Sequence, residues 1–103
     1  MESLQINSIK FADPGKSYVA LVSFAFKHDG LPLDVIEEYK SGDDWRRTTI
    51  AQFVGAGPVV IRHARVLESR DGELWLTHGV QLPGTVKDAV VRAVTAERER
   101  RGA

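Results

Sequence analysis

Between Val59 and Leu82 the chain sets the dipeptide Asp71-Gly72 between two β-rich arms, Val59 to Arg70 and Glu73 to Leu82. A two-residue turn joining antiparallel strands needs positive φ, which Asp tolerates and Gly adopts freely, so this pair specifies a hairpin more strongly than any other short signal in the chain. Counting outward from the turn predicts Arg70 opposite Glu73, Leu67 opposite Leu76, Arg65 opposite His78, His63 opposite Val80 and Ile61 opposite Leu82. That register gathers Ile61, Leu67, Leu74, Leu76, Val80 and Leu82 on one face. The other face holds Arg62, Glu68, Trp75, Thr77 and Gln81, with Ala64 and Val66 between them.

The remaining segments supply strands for this hairpin to pair with. Ser17 to Lys27 carries Tyr18, Ala20, Val22, Phe24 and Phe26 on one side and Val19, Leu21 and Ala25 on the other. Apolar residues on both parities mark a strand covered on both faces, which predicts a central position. Leu4 to Ala12 alternates imperfectly, because Leu4 and Ile6 share one parity and Ile9 and Phe11 the other; a bulge near Asn7-Ser8 reconciles them. Asp13-Pro14-Gly15-Lys16 is a turn, and His28-Asp29-Gly30 reads as another. Leu33 to Lys40 is a third strand, placed nearer an edge because Ile36 breaks its alternation, and Ser41-Gly42-Asp43-Asp44 turns again. Trp45 to Val54 is read as a short helix capped by Asp43 or Asp44, or as irregular structure, although Thr48, Ile50 and Gln52 against Thr49, Ala51 and Phe53 fit a strand equally. Gly55-Ala56-Gly57-Pro58 is a break.

After Pro83-Gly84, Thr85 with Asp88 three residues on is a variant of the helix capping box. Val86, Ala89, Val90, Ala93 and Val94 then fall on one helical stripe, whose next position is Glu97, so burial is expected to end near Val94. The segment 96–103, with Glu97, Arg98, Glu99, Arg100 and Arg101, is expected to project into water. The sum is one α+β domain spanning residues 1–103: an antiparallel sheet, meander plus C-terminal hairpin, packed by a C-terminal amphipathic helix.

Composition limits the chemistry. The 103 residues carry 14 basic and 14 acidic side chains and no cysteine. Zero net charge means that nucleic-acid binding would need a local patch of cations. The lack of cysteine rules out disulfides, thiol catalysis and thiolate metal sites. Residues 1–10 have no continuous apolar core of the kind a signal peptide needs, and no stretch approaches the roughly 18 apolar residues of a membrane span. A cytoplasmic protein is the expectation.

Motif by motif, little points to catalysis. Gly15-Lys16-Ser17 lacks the upstream glycine of a phosphate-binding loop, Lys10 standing there, and a strand follows it where phosphate capture needs a helix. His63 and His78 fall near one another on the predicted hairpin, and His28 or Glu37 would have to complete a metal site; without tight ligand spacing they read as rim histidines, and no metal or other cofactor is expected. Glu37-Glu38, Asp43-Asp44 and Asp29 lie at strand margins or turns, where carboxylates are ordinarily solvated, so no catalytic residue is assigned. Trp75 beside Arg62, Thr77 and Gln81 is a candidate stacking or partner face, unless the Trp45 segment or a second subunit covers it. Arg92, Arg98, Arg100 and Arg101 form a locally basic helix end that suits phosphate contact or, equally, the helix dipole.

Three stretches resemble the SpoVG family of small bacterial septation and sporulation regulators: Tyr18-Val19-Ala20-Leu21-Val22-Ser23-Phe24 leading to Leu33-Asp34-Val35-Ile36, the hairpin tip Asp71-Gly72-Glu73-Leu74 with His78 beyond it, and Thr85-Val86-Lys87-Asp88-Ala89-Val90. The insert from Asp43 to Pro58 is longer than that family's pattern, and the route from hairpin to helix is shorter. The resemblance implies a homodimer that binds nucleic acid without enzymatic activity through basic residues near the helix end, here Arg98, Arg100 and Arg101. The leading expectation is therefore a dimeric, non-enzymatic DNA- or RNA-binding regulator. The alternative is a protein-interaction module, such as a phage or toxin-system accessory protein, that uses the hairpin face around Trp75.

Overall fold

The computed structural model describes residues 4–28, 32–55, 57–78 and 81–102. In chain order the elements are β1 (Leu4–Phe11), β2 (Ala20–Lys27), β3 (Leu33–Ser41), β4 (Asp44–Phe53), β5 (Pro58–Glu68), β6 (Leu74–Leu76) and α1 (Gly84–Gly102). The fold is the expected α+β one, antiparallel sheets closed by a C-terminal helix. β1, β2, β5 and β6 form one sheet in the order β1-β2-β5-β6, and β3 and β4 form a separate two-stranded arm.

β2 is central, paired with β1 on one edge and β5 on the other. Its Ala20, Val22, Phe24 and Phe26 are buried beneath α1, which lays Val86, Val90 and Val94 across the sheet. Burial along the helix ends at Val94, as its spacing predicts. β1 carries the expected irregularity, its register shifting between Ile6 and Ser8. Gly15 turns the chain into β2 with φ +93. The turn at His28-Asp29-Gly30 includes positions 29 and 30, which lie outside the described residues. The helix begins at Gly84, with the Lys87 amide donating to the Pro83 carbonyl at 3.0 Å, so the first turn starts ahead of the Thr85 cap that the sequence suggests.

The hairpin register is one residue away from the predicted one. Ser69 donates its amide to the Glu73 carbonyl at 2.8 Å, and the Gly72 amide bonds back to the Ser69 carbonyl at 3.0 Å. The loop is therefore the three residues Arg70-Asp71-Gly72, with Gly72 at φ +88, the other hairpin solution that glycine in this position supports. The Asp71 carboxylate stabilises it, accepting from the Ser69 hydroxyl and from the Glu73 amide. Those bonds hold the carboxyl below its ordinary pKa, the Ser69 contact contributing most. Val66 now pairs with Leu76, Leu67 with Trp75 and Glu68 with Leu74. A one-residue slip exchanges faces, so Leu67 joins Trp75, while Val66 turns into the core beside Leu76.

A second irregularity keeps the far half of β5 in phase with the core. Ser23 of β2 faces two residues, Arg62 and His63, because the register shifts between Val22 and Phe24. His63 takes φ +56 and donates its amide to the Ser23 hydroxyl at 3.1 Å. A left-handed residue in a bulge reverses the parity. Val59 and Ile61 point inward before it, and Ala64 and Val66 after it.

Trp45 to Val54 is not helical. Residues 44–53 are β4, paired along their length with β3 from Leu33↔Phe53 to Ser41↔Asp44. The two-residue loop Gly42-Asp43, with Gly42 at φ +62, fixes that pairing. Leu33 and Val35 root the arm in the core, and one backbone bond, from the Glu38 amide to the Thr77 carbonyl at 2.9 Å, ties β3 to the end of β6. Beyond that bond residues 39–50 are exposed throughout. Among the described residues no helix is long and apolar enough to cross a membrane.

Candidate nucleic-acid interface

Alternation along β5 puts Val66 against α1 and so turns Arg65 and Leu67 to the opposite side of the sheet. There, between the β5–β6 hairpin and the arm, runs a groove of about 1040 Å³. Its walls bring Trp45, Trp75 and Tyr39 together with Lys40, Arg65 and Arg70. The two indoles meet edge to face at 5.4 Å between centroids, a favoured aromatic geometry. Trp45 still exposes 51% of its surface. Its position follows from the arm's short loop, which sets Trp45 directly opposite Lys40.

The electrostatics of the groove are set by which charges are already paired. Its two carboxylates, Glu38 and Glu68, are engaged by Arg47 at 3.4 Å and by Arg98 at 2.9 Å. Lys40, Arg65 and Arg70 have no acidic partner among the described residues. A chain of zero net charge thus presents three uncompensated cations around an aromatic pair, the local patch that its composition requires of any phosphate binder.

The helix-end arginines are arranged differently. Arg98 donates to Glu68, Arg100 bonds Glu97, and Arg101 lies 3.4 Å from Glu97 with its guanidinium 5.2 Å from the centroid of the Phe11 ring. Arg100 holds the Glu97 carboxyl below its usual range, and Glu97 in turn raises the Arg100 guanidinium. Arg92 directs its Nε at the Asp88 carbonyl at 3.5 Å. A phosphate at this end competes with carboxylates already in place.

Of the predicted face, Trp75 and Thr77 line the groove together, whereas Arg62 and Gln81 are not in its lining. Thr77 is buried, donating its hydroxyl to the Arg65 carbonyl at 3.1 Å. Arg62 is exposed at the β5 bulge and Gln81 lies beyond the end of β6. Trp75 itself meets the Trp45 segment. Sequence reasoning missed Tyr39, Lys40, Arg65 and Arg70. The signal for Lys40 was present in Ser41-Gly42-Asp43-Asp44, since a two-residue loop there fixes Lys40 against Trp45.

The histidines separate too. His63 is exposed in its bulge, whereas His78 is buried at 4% exposure where the arm meets the sheet. His78 Nδ1 lies 3.1 Å from the Thr77 hydroxyl. The same hydroxyl lies 3.1 Å from the Arg65 carbonyl, and His78 Nε2 lies 3.8 Å from the Glu37 carboxylate. Burial pushes the imidazole below its ordinary 6.5, against the pull of Glu37 and with the help of Arg65. Among the described residues no group of three metal-ligating side chains forms. A smaller cleft of about 520 Å³ beside α1 has Leu74, Leu76 and Val91 in its lining with Lys87, Asp88 and Arg92, and that lining offers no hydroxyl, thiol or imidazole.

No family model, curated protein or solved structure matches this chain.

Proposed function

We propose that this chain is a small non-enzymatic nucleic-acid-binding module, a regulator by that means, and that it takes a single strand in the groove between the arm and the β5–β6 hairpin. The observation that carries the reading is the meeting of three cations without an acidic partner among the described residues, Lys40, Arg65 and Arg70, with the Trp45–Trp75 pair. Aromatic faces stack on bases whatever their sequence, and cations beside them hold the backbone. A duplex hides its base faces, so an aromatic groove favours unpaired strands. The resemblance to the SpoVG family implies the same class of ligand, though it directs attention to Arg98, Arg100 and Arg101. The carboxylates on those residues favour the groove as the primary contact.

Fluorescence titration of the two tryptophans with single-stranded and double-stranded oligonucleotides tests the reading. Quenching by the single strand is expected in the micromolar range and is expected to weaken steeply as salt rises. Lys40→Glu combined with Arg70→Glu should abolish it. Absence of salt-dependent binding at about 100 µM oligonucleotide, the weak end of non-specific affinity, would remove the proposal.

A further inference from the structure

β4 ends its sheet, with only β3 beside it, so its other edge is open among the described residues. An open edge ten residues long is a template for another strand. A two-stranded ribbon exposed along residues 39–50 is also only marginally stable in water by itself. The sequence on that edge is unusual: Asp43-Asp44-Trp45-Arg46-Arg47 places two acids before a tryptophan and two bases after it. Read backwards with the charges inverted, it is the same sequence.

We infer that β4 pairs antiparallel with β4 of a second copy about a two-fold axis through Trp45, residues 44–46 of the two strands lying opposite one another at the loop end of each arm. Symmetry restricts the choices. Residues opposite one another in a sheet point to the same face, so a two-fold pairing must set some residue against its own copy. Centring on Asp44 opposes two carboxylates, and centring on Arg46 or Arg47 opposes two guanidinium groups. Centring on Thr48 or Thr49 leaves Asp44, Arg46 and Arg47 facing neutral side chains, and the second of these runs into the irregularity between Val35 and Ile36. Only Trp45 at the centre sets Asp44 against the partner's Arg46 and brings Asp43, in the loop, toward the partner's Arg47. Opposite charges directly across a sheet are favourable and like charges are not. Arg47 has reach to spare for this role, its bond to Glu38 being long at 3.4 Å and its side chain 64% exposed. The axis also sets the partner's Trp45 beside the Trp45–Trp75 contact, so each groove gains an aromatic wall from the other copy.

Charge reversal tests the register. In sedimentation equilibrium at about 0.1 mM, a concentration suited to an interface at the small end of the usual range, the wild-type chain is expected to be dimeric. Asp43→Arg with Asp44→Arg should be monomeric, as should Arg46→Asp with Arg47→Asp. The fourfold variant carrying all of those changes restores the pattern and should dimerise again, with an unchanged far-ultraviolet circular dichroism spectrum throughout. Because the chain has no cysteine of its own, Trp45→Cys is expected to cross-link two chains on mild oxidation, whereas Thr48→Cys is not. A monomeric wild type, dimers in both double variants, or cross-linking at position 48 in place of 45 would overturn the inference.

Discussion

Trp45 and His78 show how much a single side chain's surroundings decide. Trp45 keeps half of its surface in water while resting on Trp75, so replacing it removes a stacking platform without opening the core. Trp45→Ala is expected to lower single-strand affinity by about tenfold to a hundredfold, the 1–3 kcal/mol typical of a lost base–aromatic contact, with little change in melting temperature. Fluorescence anisotropy with a labelled oligonucleotide measures it. His78 is held neutral by burial, whereas an unfolded chain would protonate it below about pH 6.5. Above that value both states are neutral and nothing is lost. As pH falls from there toward the lower folded pKa, the unfolded state takes up a proton that the folded state refuses, so stability declines across that window and levels off beneath it. Melting temperatures between pH 7.5 and 5 should follow that course. Glu37 draws the imidazole pKa upward, so Glu37→Gln should depress it further, read directly by nuclear magnetic resonance titration of the ring.

At the scale of elements, two local backbone solutions control which faces the strands present. Gly72 at φ +88 closes the three-residue loop of the β5–β6 hairpin, and nothing lies within 4 Å of where a Cβ would stand. Any cost of Gly72→Ala is therefore conformational, about 1–2 kcal/mol for an L-residue in left-handed space, or roughly 5–10 °C in melting temperature for a domain of this size. The helix offers a sharper contrast. Val90 is fully buried against the sheet while Arg92 is exposed. A charge at Val90 would be buried without a partner, at a cost comparable to the whole stability of a small domain. Val90→Asp is expected to leave the chain unfolded by circular dichroism, and Arg92→Asp to leave it folded.

Taken whole, the molecule carries no net charge, so association with nucleic acid rests on where its charges sit. Glu97 and Glu68 occupy the arginines of the helix end, while Lys40, Arg65 and Arg70, across the sheet, have no acidic partner among the described residues. If those three cations each displace counterions from a single strand, the logarithm of affinity should fall against the logarithm of salt concentration with a slope of about −2, from roughly −0.7 for each phosphate. Arg100→Gln with Arg101→Gln should leave that slope unchanged, and a titration at several salt concentrations distinguishes the two locations.

The amino-acid pattern by itself determined the strands from Leu4 to Lys40, the hairpin about Asp71-Gly72 and the Val86–Val94 stripe, because period-two and period-3.6 burial are written in consecutive residues. Tertiary structure alone decided the hairpin register, the conformation of β4 and the members of the groove. Ser69 and Asp71 shift the loop by one residue through side-chain bonds to the backbone, and His63 resets the parity of β5 through a bulge whose partner, Ser23, lies forty positions away. β4 has few core residues to give it a period; pairing with β3 makes it a strand. Lys40, Arg65 and Arg70 meet only because the arm, rooted by Leu33 and Val35, is held to the end of β6 through Glu38 and Thr77, and that juxtaposition depends on long-range pairing that no local window of sequence contains.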